Sequence, residues 1–121
     1  MNDMDTDETN ELISSDKVEG TVVYNRDGER LGTISNVMIG KQDGQVEYAV
    51  LSFGGLFGLG TDHYPLPWSM LEYDTDLGGY AIDLDKDMLK EAPRYSTANQ
   101  PDYDRDYSDR INNYYGMGGG F

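Results

Sequence analysis

The stretch Gln45–Trp68 carries the densest apolar pattern in the chain. Val46, Tyr48 and Val50 fall on one alternation, and Ala49, Leu51 and Phe53 on the other. A run that is β-branched, aromatic and apolar on both alternations predicts a strand covered on both sides. Such a strand belongs in the middle of a sheet or in a barrel wall. Gly54–Gly60 predicts a loop with apolar tips at Leu56, Phe57 and Leu59. Asp62–Pro67 predicts the next strand, and its prolines assign it to an edge or a barrel corner, because each removes a ladder donor.

The pattern continues on either side. Ser14–Lys17 reads as a turn and Glu19–Tyr24 as a first strand. Asn25-Arg26-Asp27-Gly28 is hairpin chemistry, since Asp-Gly takes positive φ cheaply. Arg30–Ile39 predicts a second strand, with Leu31, Val37 and Ile39 on one face and Ile34 and Met38 on the other. Gly32 inside it predicts a bulge or a close backbone approach. Gly40–Gly44 turns the chain into the third strand, Gln45–Phe53. Met70–Asp74 and Tyr80–Leu84 predict two more strands, joined by a turn at Asp76–Gly79. About six short strands separated by turn signals predict a mostly β fold, a small antiparallel barrel.

Helical spacing appears only after the last of these strands. Asp85 fits a helix N-cap, with Leu84 and Leu89 placed as a hydrophobic staple across it. Pro93 limits that helix to about Lys86–Glu91. Arg94–Gln100 reads as a linker, and Pro101 suits the first position of a second helix. Tyr103, Tyr107, Ile111 and Tyr114 then recur at helical spacing, Asp106 stands one turn before Arg110, and Gly116 is placed as a C-cap. The expected organisation is an acidic disordered tail over 1–11, a folded core over 12–95, and a linker, amphipathic helix and flexible glycine-rich end over 96–121.

Composition narrows the function. The 121 residues hold 23 acids against 9 bases, a net charge of −14. Direct nucleic-acid binding needs clustered cations to neutralise phosphates, and anionic membrane surfaces repel such a chain. A basic or neutral protein partner is compatible, and so is a charge that serves solubility alone. With no cysteine, disulfide and thiolate chemistry are excluded. The N-terminal residues lack signal-peptide character, and no apolar run approaches the ~20 residues of a membrane helix. The cytoplasm is the expected location.

Candidate chemistry is sparse. His63 beside Asp62 has the residue types of an acid–base pair, or of an ordinary strand histidine with a hydrogen-bond partner. Asp83-x-Asp85-x-Asp87 resembles the start of a calcium loop, but Met88 and Arg94 stand where glycine and glutamate are required. Asp102, Asp104 and Asp106 read as a solvated helix start. The Gly54–Gly60 loop lacks the lysine and following helix of a phosphate loop. No catalytic residue, metal or cofactor is assigned. The candidate interface is Leu56, Phe57 and Leu59, as a lid on one barrel end or an exposed patch. It also takes in Tyr103, Tyr107, Ile111, Tyr114 and Tyr115, as a stripe packed on the chain's own barrel or on a partner.

Three segments carry a family resemblance. Asn25–Val37 (Asn-Arg-Asp-Gly-Glu-Arg-Leu-Gly-Thr-Ile-Ser-Asn-Val), Tyr48–Gly55 and Pro65-Leu66-Pro67-Trp68 are similar to the PRC-barrel family. It includes the cytoplasmic domain of the photosynthetic reaction-centre H subunit, the C-terminal domain of ribosome maturation factors, and many free-standing bacterial proteins. The Ser-Phe-Gly-Gly loop and the Pro-x-Pro-Trp strand resemble the free-standing group, as do Ala92-Pro93 and Pro101-Asp102-Tyr103. The chain departs from those relatives in the glycines before Phe121. The resemblance implies a PRC-type barrel acting as a non-enzymatic adaptor or assembly module for protein partners, as a homo-oligomer. The alternative it implies is a ribosome- or RNA-processing-associated factor acting through a ribosomal protein.

Overall fold

A computed structural model describes residues 12–54 and 61–116. The acidic tail over 1–11, Leu56, Phe57 and Leu59, and the glycine-rich end lie outside the described residues. Among those described, seven strands form one sheet: β1 (Val22–Asn25), β2 (Arg30–Ile39), β3 (Val46–Gly54), β4 (Thr61–Pro67), β5 (Leu71–Asp74), β6 (Gly79–Ile82) and β7 (Tyr95–Ser96). Three short helices accompany them: α1 (Ser15–Val18), α2 (Lys86–Lys90) and α3 (Arg105–Tyr114). The sheet order is β5-β6-β1-β2-β3-β4-β7. Every neighbouring pair is antiparallel except β1 and β6, which run parallel.

No hydrogen-bonded ladder joins the edge strands β5 and β7, so the barrel is not closed by pairing. It is nonetheless strongly curled. Five strand steps separate β5 from β4 in the order, roughly 24 Å in a flat sheet at about 4.8 Å per step. Only a 3-10 turn, Trp68–Met70, links the end of β4 to the start of β5, a span of at most about 14 Å. The sheet must bend to bring these strands together, and Trp68 packs edge-on against Tyr80 of β6 inside that bend.

Local chemistry sets the turns. Asn25, buried at the end of β1, accepts from the amides of Asp27 and Glu29 through Oδ1, and donates from Nδ2 to Glu29. Those bonds hold the hairpin that Gly28 completes at φ +84°. The first strand starts later than its pattern predicts. Ser15–Val18 closes a helical turn and Gly20 sits at φ +86°, so regular pairing begins only at Val22.

The β2 boundaries match the sequence pattern, but its faces do not. The β1–β2 register skips Leu31, and the β2–β3 register skips Ser35 and, on β3, Glu47. Each bulge inserts one residue and resets the alternation. Leu31 and Ile34 therefore both enter the core, while Ile39 is 51% exposed. The bulge at Leu31 lies beside Gly32, as that glycine predicts.

β3 is covered on both faces. Ala49, Val50 and Leu51 are fully buried, as is Leu66 on β4. Burying each Leu or Val side chain contributes roughly 1.5–3 kcal/mol. Trp68 is half-buried at the core's margin because it opens the 3-10 turn that leaves the sheet. The α2 cap is as predicted. Asp85 Oδ1 accepts from the Met88 amide at 2.8 Å, and Leu84 and Leu89 are buried on either side.

Candidate functional site

The candidate surface lies where the C-terminal segment crosses the sheet. Residues 95–116 form a strap. It begins with β7, which pairs with Asp62 and His63 on the outer edge of β4. The sequence pattern places a linker here, and two paired residues leave no periodicity to read. Beyond His63, β7 no longer covers the β4 edge. Pro65 and Pro67 stand at alternate positions there, so their missing donors fall on one side of the strand. Helix α3 packs against this strand.

α3 begins at Arg105 rather than near Pro101. Asp104 adopts extended backbone, and its carboxylate accepts from the Tyr107 amide at 2.9 Å, a strong N-cap. Tyr115 follows as the last half-turn and Gly116 at φ +70° ends the helix, as expected. The predicted stripe divides. Tyr107, Ile111 and Tyr115 are buried in the chain's own core, whereas Tyr103 and Tyr114 are half-buried beside it.

Tyrosine rings fasten the strap to the sheet. Tyr103 lies within 5.2–6.2 Å, centroid to centroid, of Tyr48, Tyr95 and Tyr107. Its hydroxyl is 2.9 Å from that of Tyr95. Tyr48 donates to Asn112 at 3.3 Å, and the Tyr114 hydroxyl donates to the Met88 carbonyl. Arg110 lies over the Tyr107 ring at 5.6 Å. Burial pushes the Tyr107 phenol up to about 12. The phenols of Tyr95, Tyr103 and Tyr115 are also raised, chiefly by burial. The Tyr107 and Tyr115 hydroxyls are buried with no hydrogen-bond partner among the described residues.

His63 belongs to this fastening. Its ring stacks on Tyr95 at 5.4 Å, and Nε2 lies 2.9 Å from Thr97 Oγ1. Nδ1 lies 3.5 Å from Ser35 Oγ, itself 2.8 Å from Asn36 Oδ1. His63 and Asp62 are not brought together as an acid–base pair. Successive strand residues face opposite ways, and Asp62 instead meets Arg94 at 3.8 Å. The aspartates after β6 are likewise placed: Asp85 caps α2 and Asp87 meets Lys90 at 3.6 Å.

Two sizeable clefts are among those beside the strap in the described residues. One, of about 790 Å3, lies between Glu91–Arg94 and the end of α3 at Arg110, Asn113 and Tyr114. The other, of about 670 Å3, lies between the β2–β3 turn and Tyr103. Met38, Ile39 and Tyr48 line it from the sheet, and Lys41, Asp43 and Glu47 stand at its rim. The sequence pattern did not single it out. Ile39, an apolar residue immediately before a glycine turn, is the one signal that points there.

Comparison with solved structures finds a similar chain in a protein assigned to 16S ribosomal RNA processing, RimM of Pseudomonas aeruginosa. The two are 18% identical with a TM-score of 0.42, over 65% of this chain and 48% of that one. The chain thus spans about half the length of that neighbour. Comparison with curated proteins finds no match. The PRC-barrel domain model matches residues 10–89, which takes in β1 through β6 and all but the last residue of α2 and stops short of the strap. With its sheet matched through these elements, the chain belongs to the PRC-barrel domain family.

Proposed function

We propose that this chain is a non-enzymatic PRC-barrel adaptor, an assembly module that binds protein partners. The observation that supports it is the use of His63. The sole imidazole of the sequence is the group best suited to proton transfer near neutral pH. It is spent on joining β2, β4 and the strap through Ser35, Tyr95 and Thr97. The excess of acid over base favours a basic protein surface and repels nucleic-acid phosphates. Self-association through Leu56, Phe57 and Leu59, and a cytoplasmic location, belong to the same proposal. No helix among the described residues is long and apolar enough to cross a membrane.

The test is fractionation of a native lysate on a sucrose gradient, followed by cross-linking and mass spectrometry. The chain should migrate with a protein partner, and nuclease should leave that complex intact. Sedimentation as a lone monomer at every concentration, or release by nuclease, would overturn the reading. Co-migration with ribosomal subunits that is lost at high salt would put the partner among ribosomal proteins.

A further inference from the structure

We propose that the cleft between the β2–β3 turn and the strap binds a basic segment of a partner protein. The lysine or arginine head sits between Asp43 and Glu47, and its stem lies on Met38 and Tyr103. This rests on the protein-binding reading above and gives it a surface.

The bulge is the first observation. Glu47 and Tyr48 are consecutive on β3 and would face opposite ways in a regular strand. The β2–β3 register skips Glu47, pairing Met38 with Tyr48 and Ile39 with Val46. An extra residue re-aims its side chain, and Glu47 and Tyr48 come to line one cleft. A carboxylate is thereby set beside an apolar wall.

The turn supplies the second carboxylate. Asp43 Oδ1 accepts from the Gln45 amide at 2.9 Å, and a Cβ built on Gly40 would meet that oxygen at 2.4 Å. Glycine at 40 lets the turn close on the carboxylate, which fixes Asp43 at the rim. Glu47 has no ion-pair partner among the described residues, and neither has Lys41. The cleft lining holds two carboxylates, Asp43 and Glu47, and one ammonium, Lys41. On a molecule of charge −14 this field draws a cation.

The floor suits the stem of such a side chain. Long basic residues lay their methylenes on apolar surface and keep the charge in water. Met38 supplies an adaptable thioether wall, with its sulfur 3.7 Å from Asn36 Nδ2. Ile39 adds one of the few large exposed apolar side chains among the described residues, and it accommodates an aliphatic neighbour of the basic residue.

The test uses the full chain and a synthetic peptide, acetyl-Ala-Lys-Leu-Arg-Ala-amide, at physiological salt. Backbone NMR shifts should concentrate at residues 38–43, 47, 48 and 103. Glu47→Lys should weaken binding by about tenfold, in line with loss of a charged contact. Asp76→Lys makes the same change in net charge at the exposed β5–β6 turn, and should weaken it by less than about twofold, as expected of a screened distant charge. Melting curves check that both variants fold, and Glu47→Gln serves as a milder second variant. Equal loss in the two lysine variants, shifts spread over the whole acidic surface, or no shift at saturating peptide would each overturn the proposal. Those results leave protein binding elsewhere on the chain intact. That broader reading fails separately, by a chain that sediments alone.

Discussion

Three tyrosines at the end of the chain are chemically alike and differ in what their hydroxyls meet. Tyr107 and Tyr115 bury theirs without a partner among the described residues, whereas Tyr114 donates to the Met88 carbonyl. An unmade buried hydrogen bond forfeits the hydroxyl's desolvation cost, and a made one contributes about 1 kcal/mol net. Tyr107→Phe and Tyr115→Phe should therefore leave stability unchanged or raise it by up to about 1 kcal/mol. Tyr114→Phe should lower it by a similar amount. Urea unfolding of the three variants checks this, and a loss in all three would contradict it. Asp104→Ala should cost about 1 kcal/mol through the lost cap, with Asp104→Asn close to wild type. Asp85 was legible as a cap because Leu84, Leu89 and Pro93 frame it. Asp104 was not, because Pro101 looks like a helix start and Tyr103 continues the helical period. Their competition was settled by the Tyr103 ring, which packs against Tyr48 and Tyr95 ahead of the helix.

At the scale of elements, the strands with strong alternation or apolar density were legible, and β2 was read to its ends. Its faces were not, because three bulges are properties of strand pairing rather than of either strand. The same limit hid the cleft, which exists only once Glu47 is skipped and the strap has docked. β7 was invisible because it owes its existence to Asp62, His63 and a ring stack, not to its own propensity. The parallel pairing of β1 with β6 depends on a single small residue. A Cβ at Gly79 would meet the Val22 carbonyl oxygen at 2.4 Å and the Tyr24 ring at 3.2 Å. Backbone cannot step aside cheaply, so Gly79→Ala should cost roughly 2–3 kcal/mol, the upper range for overpacking. Gly78→Ala, one residue earlier, has open space but a φ of +69°, and should cost only about 1–2 kcal/mol. Thermal melts of the pair separate steric clash from backbone strain. A larger loss at Gly78 would contradict the assignment.

At the largest scale the sheet is open but strongly curled, bent by a short covalent link and held on one flank by tyrosines, and this couples its stability to alkaline pH. In the unfolded chain a phenol ionises near pH ~10. In the folded chain burial penalises the phenolate, which raises Tyr95, Tyr103 and Tyr115 and carries Tyr107 up to about 12. The folded state thus binds protons that the unfolded state releases. Stability from these groups is fully present below pH ~10 and is lost as pH rises through the folded values. The net charge of −14 acts in the same direction, because each new phenolate adds to an existing negative field. The strap carries Tyr95, Tyr103, Tyr107 and Tyr115, so it should detach as part of the transition rather than titrate in place. Tyrosine ionisation followed at 295 nm beside far-ultraviolet circular dichroism, from pH 8 to 13, checks this. The buried class should ionise only with loss of sheet signal, in a transition steeper than one proton. A single ionisation of all ten tyrosines near pH ~10 with the sheet signal unchanged would show that these rings are open to solvent and do not hold the strap.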